Sequence, residues 1–360
     1  MGPVAAPDIR HDLGLSYAGA ALVLFTIPQI VAMVLEPPLL LAASRLPRRL
    51  ASVGGLAVMG CGLLACAAAR SAIGLALATS LVWVASGVGV NLVEATLMDA
   101  HPARRERMAL QWGIAGALGD LSVPLLTAAL AAFALSWRVA FACVGAAILL
   151  LAGAVGTRPM PAPAAGDHRV ATPLWQAARN RELLRWLLGA ASCALLDEVF
   201  VAFAALYLTQ HLGAAPTVRA LGLAAFTAGC IAGLVVTERA VARGADPLAL
   251  LRRASVACAA ALAAFIAAPS VGMSAAALGL VGLCAAPLHP LSEARAYAAA
   301  PGQAHVVQIV GGLMAPIDVG TPLLLGWLAD HVGLEVALMV LLLQPALVWR
   351  LARPTHERPA

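Results

Sequence analysis

The sequence predicts an all-α polytopic membrane protein. Of its 360 residues, 62% are hydrophobic and only 11% are charged, a composition far from that of soluble domains. The apolar residues gather in runs long enough to cross a bilayer as helices, and the ten-residue alternating pattern of a membrane β-barrel does not occur. We expect eleven full spans, at about residues 18–44, 50–69, 72–98, 108–133, 137–156, 183–209, 218–237, 250–268, 271–288, 305–328 and 332–350.

The distribution of arginine predicts the orientation of these spans. The chain contains no lysine, so all 23 basic residues are arginine. With the N-terminus outside, nineteen of them lie on the cytoplasmic side, and only Arg10, Arg70, Arg138 and Arg219 lie outside. Cytoplasmic loops of membrane proteins carry this excess of positive charge. We therefore expect a cytoplasmic C-terminus, and we interpret the basic runs as topology signals rather than as contacts with nucleic acid.

The cysteine and histidine residues do not indicate a cofactor. All seven cysteines lie inside apolar runs, without CxxC spacing or clustered histidines. This placement is typical of small core residues rather than of disulfides or metal ligands. The sequence contains no Walker loop, nucleophile elbow or HExxH motif. We therefore expect no cofactor, no metal site and no enzymatic activity.

A polar, proline-rich segment at residues 157–182 divides the chain. It separates an N-terminal bundle of five spans, residues 1–156, from a C-terminal bundle of six, residues 183–360. The orientation of the spans makes this segment a cytoplasmic linker. A central linker between two groups of helices is typical of a chain with two related halves.

The fourth and tenth spans share the pattern G-x6-D-x3-P-L-L. With an offset of 198 residues, Gly113 and Asp120 correspond to Gly311 and Asp318. Because aspartate is rare inside membrane helices, its recurrence at the same place favours an internal repeat.

The first residues of the chain extend this register. With one residue of slippage, Leu13-Gly14 corresponds to Leu212-Gly213, just past the sixth span. Residues 1–14 then correspond to the outer end of a helix whose inner half is missing. We expect an N-terminal bundle that is an incomplete six-span repeat, and a chain of eleven full spans (5+6) plus a partial N-terminal helix.

Two six-span halves in parallel repeat, joined by a long cytoplasmic linker, resemble the major facilitator superfamily (MFS) of transporters. The family pattern G-x-x-x-D-R-x-G-R-R, between its second and third helices, appears here as LLAASRLPRR at residues 40–49. The corresponding connection of the second half keeps an acidic residue followed by arginine. The residues that match are Arg45, Arg48 and Arg49 in the first half and Glu238 and Arg239 in the second, whereas Leu40, Ser44 and Pro47 replace the Gly, Asp and second Gly.

Carboxylates inside the spans are the candidates for solute binding and proton coupling. Each centrally placed one costs about 2.5 to 3.5 kcal/mol to insert, and no arginine lies deep in a span to pair with it. A low dielectric favours the protonated form of an unpaired carboxyl group, which suits proton coupling, and the ionised form can bind a cation. The candidates are Asp197, Glu198, Asp120, Asp318, Glu94 and Glu36.

Structural roles compete with function at several of these positions. The resemblance implies that the span with Asp197 and Glu198 lines the transport cavity, and because neighbours on a helix point about 100° apart, one of the two is expected to face it. For Asp120 and Asp318, a structural hydrogen bond between helices is an equal alternative.

The two remaining acids lie nearer the cytoplasmic ends of their spans. Glu36 precedes Pro37-Pro38, so a protonated Glu36 can instead hydrogen-bond a carbonyl freed by the kink. Glu94 follows Asn91 by one turn, and there gating or solvation is an alternative to binding.

The resemblance implies a secondary active transporter that moves a small solute by alternating access. The lack of inward-facing cations favours a neutral or cationic solute, and the acids favour coupling to protons. The expected partners are that solute, protons and the lipid bilayer, with no nucleic acid and a monomeric state. The alanine- and arginine-rich composition indicates a bacterial cytoplasmic membrane. A transport-inactive membrane scaffold or truncated remnant is the alternative.

The arginine distribution yields a test of topology. A reporter that fluoresces only in the cytoplasm is expected to be bright when fused to the C-terminus and dark when fused to the N-terminus. The reason is that the loops with nineteen of the arginines are expected to stay on the cytoplasmic side. An insertion in the linker at residues 157–182 serves as the cytoplasmic control. A bright N-terminal fusion with a dark C-terminal one would refute the orientation.

Overall fold

Helices are the only regular secondary structure in the part of the chain that the structure describes. A computed structural model describes residues 5, 8, 9, 11–15, 19, 22–43, 45–132, 135–160, 174–193, 196, 198–214, 216–301 and 303–353. The predicted all-α class is therefore confirmed. The helices in chain order are α1 Leu22–Ala43, α2 Arg48–Ala68, α3 Ala72–Ala100, α4 Arg105–Ala132, α5 Trp137–Thr157, α6 Leu174–Ala177, α7 Arg181–Cys193, α8 Glu198–Gln210, α9 Pro216–Ala242, α10 Pro247–Ile266, α11 Val271–Ala285, α12 Leu288–Ala299, α13 Ala304–Gly311, α14 Ala315–His331, α15 Leu334–Val340 and α16 Leu343–Leu351.

The helices agree with the predicted spans. Each of the eleven predicted spans falls on one helix or on two consecutive helices. Among the described residues, eight helical segments are long and apolar enough to cross a membrane: α1, α2, α3, α5, Leu221–Ala242 of α9, α10, the α11–α12 stretch and the α15–α16 stretch. The remaining three predicted spans fall on α4, on α7–α8 and on α13–α14. The number of crossings and their orientation stay predictions.

Side chains at the helix ends explain several of these boundaries. Ser71 Oγ accepts a hydrogen bond from the backbone of Gly74 at the start of α3, and Ser270 does the same for Met273 at the start of α11. Asp246 accepts from two backbone N–H groups at the start of α10. These caps satisfy backbone donors that have no partner inside the helix.

Two compact units make up the chain, and each combines segments that are distant in sequence. The first lies within Met1–Ala100, Gly119–Ala171 and Gly302–Gly312. The second lies within His101–Leu118, Thr172–Pro301 and Leu313–Ala360. The beginning of α4 therefore belongs to the second unit and its remainder to the first, while α13 belongs to the first unit and α14 to the second. The predicted boundaries at residues 156 and 183 stay a prediction.

Helix irregularities recur at corresponding places in the sequence. In α3, residues Gly87–Asn91 form a π-helical turn. With the offset of 198 residues, this turn corresponds to the junction between α11, which ends at Ala285, and α12, which begins at Leu288. A further irregularity is the pair Pro37-Pro38 inside α1. Kinks and π-turns leave backbone groups that need other partners.

The ends of two helices also agree with the repeat. Gly14 and Gly213 both have a φ of 62°, in the left-handed region that favours glycine after a helix C-terminus. Nine residues earlier, Ala5 and Ala204 are both buried, at 2% and 0% exposure. The offset of 199 residues thus relates both the conformation and the burial of these segments.

Glycines allow the closest helix contacts within each unit. A Cβ atom at Gly55 of α2 would lie 2.5 Å from the backbone nitrogen of Gly89 in α3. In the second unit α9 packs closely on α11, and a Cβ at Gly282 of α11 would overlap the carbonyl oxygen of Phe226. Small residues at such contacts let helix backbones approach in a membrane, where van der Waals packing drives association.

Substituting Gly282 is expected to destabilise the α9–α11 contact. The new methyl group meets backbone atoms, which cannot move aside as a side chain can, so we expect Gly282→Ala to cost about 1 to 3 kcal/mol and to lower the melting temperature of the purified protein. Gly272 lies in the same helix, where an added methyl group would have nothing within 4 Å, and Gly272→Ala is the matched control. Equal melting temperatures for the two variants would contradict this account of the contact.

Candidate functional site

Glu36 of α1 and the π-helical turn of α3 form a polar site inside the first unit. The Glu36 carboxylate accepts a hydrogen bond from Asn91 Nδ2, with an Oε1–Nδ2 distance of 3.0 Å. The same carboxyl group lies against Gly87, where a Cβ atom would overlap it. Glu36 is therefore held by the first and last residues of the turn, and only glycine at position 87 leaves room for it.

The local sequence explains why a polar side chain lies here. Pro37 and Pro38 have no backbone N–H, so the carbonyl groups of Met33 and Val34 cannot receive their usual helical hydrogen bonds. In α3, the π-turn likewise alters the backbone pairing around Gly87–Asn91. Both helices are thus irregular where Glu36 and Asn91 meet, which concentrates polar backbone and side-chain groups at one depth in two helices of membrane-spanning length.

Glu94 lies one turn beyond Asn91 on α3. Its side chain is buried, with 7% of the residue exposed. Residues three apart on a helix occupy neighbouring positions on its surface. The structure therefore places one predicted acid, Glu36, in contact with Asn91 and a second, Glu94, on the same short stretch of α3.

The other predicted acids are not joined to this site by described contacts. Asp120 lies on α4 with an exposed side chain, and no hydrogen bond links it to another described residue. Asp197 lies outside the described residues. Glu198 begins α8 and Asp318 lies in α14, but both side chains lie outside the described part of the chain. Their roles stay predictions.

An ion pair closes one end of the first unit. Arg48, the first residue of α2, donates to Asp99 near the end of α3, with an Nη2–Oδ2 distance of 2.8 Å. Their side chains are 11% and 4% exposed. The neighbouring motif residues Arg45 and Arg49 are exposed. Of the three predicted motif arginines, Arg48 is thus the one placed in a buried ion pair, and its partner Asp99 was missed because nothing in the local sequence links two positions 51 residues apart.

The corresponding end of the second unit contains two ion pairs. Arg107 of α4 donates to Glu238 of α9 at 2.7 Å, and Gln111 donates to the same carboxylate at 3.0 Å. Glu106 pairs with Arg295 of α12 at 3.5 Å. These contacts attach the beginning of α4 to α9 and α12.

Glu238 therefore has partners on another helix. Arg239, which follows it in the sequence motif, is exposed. The predicted motif thus contains Glu238, the acid of the ion pair. Its partner Arg107 lies 131 residues earlier, in PARRER at residues 102–107. A sequence pattern of adjacent charges does not reveal a contact between helices.

The groups at the Glu36 site offer proton and hydrogen-bond chemistry. Within these ranges no three His, Cys, Asp or Glu side chains are grouped so that they can hold a metal ion. At the Glu36 site the groups that meet are one carboxyl, one amide and a backbone without a side chain. Such a site can bind and release a proton, or hydrogen-bond a small polar molecule.

Comparison with solved structures identifies the fold. The chain is similar to the fucose:proton symporter FucP of E. coli, with a TM-score of 0.76 and 14% identity over 98% of this chain and 95% of that one. A structure of FucP in the outward conformation, described as an MFS transporter, gives a TM-score of 0.74 at 14% identity over 97% and 94%. The human organic anion transporter MFSD10 (TETRAN) gives 0.73 at 18% identity over 97% and 88%.

These likenesses confirm that the chain has the MFS transporter fold. No protein-family model matches the sequence, and no curated protein sequence is similar to it. At identities of 14% and 18% the similarity concerns the fold alone.

The buried Arg48–Asp99 pair yields a test on stability. Asp99→Asn is expected to cost about 3 kcal/mol, because it leaves the Arg48 guanidinium buried beside a neutral group, and to lower the melting temperature. The double variant Arg48→Met, Asp99→Leu is expected to recover most of the loss. Arg49→Gln, at the next and exposed position, is the control and should change stability by less than about 0.5 kcal/mol. A harmless Asp99→Asn would contradict a structural role for the pair.

Proposed function

We propose that this protein is a secondary active transporter that moves a small neutral or cationic solute across a membrane by alternating access, coupled to protons. The MFS fold supports the transporter class, because three solved structures that share it over 97% or more of this chain are structures of transporters. The hydrogen bond between Glu36 and Asn91 is the observation that carries the coupling to protons.

Glu36 has the properties that a proton carrier needs. It lies in a helix of membrane-spanning length, and its hydrogen-bond partner is a neutral amide. Within the described ranges no arginine contacts its carboxyl group. Asn91 Nδ2 donates equally well to a carboxylate or to the carbonyl oxygen of a carboxylic acid, so the site accommodates both protonation states. A proton can bind when the site faces one side of the membrane and leave when it faces the other.

The helix breaks support a site that changes shape. In transporters, discontinuous helices form substrate and ion sites near the bilayer midplane. The π-turn of α3 and the 3-10 turn Gly312–Met314 between α13 and α14 are breaks of this kind. We assign Asp197 and Glu198, together with Asp318 and Asp120, to the same coupling chemistry, and Glu94 to gating.

The ion pairs at the helix ends are suited to holding one conformational state. Arg48–Asp99 lies within the first unit, and Arg107–Glu238 and Glu106–Arg295 lie within the second. A transport cycle that moves α4 relative to α9 requires the Arg107–Glu238 pair to open. We assign these pairs to the cytoplasmic side, where the arginine distribution places them.

The charges inside the spans favour a neutral or cationic solute. FucP is a fucose:proton symporter and MFSD10 an organic anion transporter, so the fold itself accommodates both neutral and anionic solutes. In this chain no arginine or lysine lies deep in a span, whereas carboxylates do. An anionic solute would meet uncompensated negative charge, and a neutral or cationic one would not. We place the protein as a monomer in a bacterial cytoplasmic membrane.

Proton flux driven by a solute is the test of this function. The purified protein is reconstituted into vesicles that contain a pH-sensitive dye, and a panel of sugars, polyols and organic amines is added outside. We expect one of these solutes to change the internal pH. Glu36→Gln, which cannot ionise, is expected to reduce this flux at least tenfold while the protein still folds. Glu182→Gln, which removes a carboxylate outside the predicted spans, is the control and should retain the flux.

The outcomes distinguish coupling from transport. Solute uptake without proton flux in the unmutated protein would refute coupling and leave a uniporter. Full proton flux in Glu36→Gln would exclude Glu36 as the coupling residue. No uptake of any solute by folded protein would favour the transport-inactive scaffold.

A further inference from the structure

Asp12 and Arg138 form an ion pair within the first unit. The Asp12 carboxylate accepts a hydrogen bond from the Arg138 guanidinium and a second from Trp137 Nε1 at 3.3 Å. Arg138 also donates to the carbonyl oxygen of Ala69 at 2.9 Å. The contacts join the helical end before Gly14 to the first turn of α5.

His211 and Glu335 are in contact within the second unit, and they form an ion pair when the imidazole is protonated. His211 Nε2 lies 3.0 Å from Glu335 Oε1, and both side chains are about half exposed. The imidazole stacks on the ring of Tyr207, at 4.9 Å between centroids and 12° between planes, and the Tyr207 hydroxyl donates to the carbonyl of Ile266 at 2.7 Å. The contacts join the end of α8, just before Gly213, to the first turn of α15.

The two pairs occupy corresponding places in the repeat with their charges exchanged. Asp12 and His211 are 199 residues apart, and each lies two residues before a glycine with a φ of 62°. Arg138 and Glu335 are 197 residues apart, and each lies in the first turn of its helix, α5 for Arg138 and α15 for Glu335. Both separations differ by one residue from the 198-residue offset. An acid at the earlier position in one half is thus a base in the other.

We propose that the His211–Glu335 pair is a proton-dependent clip between α8 and α15, and that the Asp12–Arg138 pair is its proton-independent counterpart. Arginine keeps its charge at every physiological pH, whereas histidine is the side chain that gains or loses charge between about pH 5 and 8. The ion pair in the first unit therefore keeps its charges at every physiological pH, whereas the charge of the pair in the second unit depends on pH.

The direction of the effect follows from the chemistry of each pair. Protonated His211 donates a charge-assisted hydrogen bond to Glu335, which is about twice as strong as a neutral one. The clip is strong at low pH and weakens as rising pH removes the imidazole proton. In the other pair, the Arg138 guanidinium lowers the pKa of Asp12 below its usual value of 3.8. Asp12 thus stays ionised above that value, and its contribution is lost only in more acidic solution.

Several titratable groups lie near the His211 end of the elements around it. They are Tyr207 on α8, Glu335 on α15, Asp330 and His331 at the end of α14, and Arg219 in the first turn of α9. His331 Nδ1 is 2.8 Å from the carbonyl oxygen of Trp327 in its own helix, and the side chains of Asp330 and Arg219 lie outside the described part of the chain. Glu335 is the described group that forms an ion pair with His211.

Double-mutant cycles at two pH values test the clip without reference to any solute. Melting temperatures of the full-length protein in detergent are measured at pH 5.5 and 8.5 for His211→Gln, Glu335→Gln and the double variant. Because the pair is half exposed, we expect a coupling of about 1 to 3 °C at pH 5.5 that falls by at least half at pH 8.5. The matched cycle of Asp12→Asn and Arg138→Gln is expected to give the same coupling at both values.

A third substitution converts the clip into its counterpart. In the His211→Arg variant, the coupling energy between position 211 and Glu335 is expected to be the same at both pH values. Equal coupling at both pH values in the unmutated background, or none at either, would overturn the proposal, as would persistent pH dependence in His211→Arg. If a variant fails to fold, hydrogen exchange of residues 205–213 and 334–340 in the unmutated protein replaces the cycle. Protection that is not greater at pH 5.5, after correction for intrinsic exchange rates, would also overturn it.

Discussion

The bilayer requires the chain to satisfy its own backbone hydrogen bonds, and the rest of the structure depends on this constraint. Lipid offers no donors or acceptors, so an uninterrupted helix is the default and every departure from it needs compensation. Among the described residues, the departures include the prolines of α1, the π-helical turns Leu22–Thr26 and Gly87–Asn91, the junction between α11 and α12, and the 3-10 turn before α14. Glu36 and Asn91 meet where two of them coincide. The polar chemistry of the site therefore follows from the places where the helices are irregular.

Helix association in lipid depends on how closely backbones approach, since apolar surface is no more favourable against protein than against lipid tails. The glycine contacts between α2 and α3 and between α9 and α11 provide this approach. Where the chain reaches the aqueous ends, charged groups replace glycine as the means of connection, as at Arg48–Asp99 and Arg107–Glu238. Close packing thus connects the middle of the helices in each unit, and ion pairs connect their ends.

Much of the fold could be predicted from the sequence because the membrane makes its signals local. Long apolar runs place the helices, and the recurring aspartate and glycines indicate the repeat. The site could be predicted only in part. Glu36 stood out as an acid within an apolar run, but its contact with Asn91, 55 residues away, depends on how α1 lies against α3. Likewise Glu238 was identified beside Arg239, yet its ion pair is with Arg107. Local patterns identify polar residues in lipid, whereas partners on other helices are set by packing.

The division of α4 between the units has a consequence for how such a chain arose. Residues His101–Leu118 come from the first half of the sequence and pack in the second unit, while Gly302–Gly312 come from the second half and pack in the first. If one half were expressed alone, the segment of it that packs in the other unit would lack its packing partners. Two identical halves could exchange these segments and complete each other. Had the chain arisen by duplication of one half, two separate copies could have exchanged these segments in a dimer, and fusion would have made that exchange intramolecular.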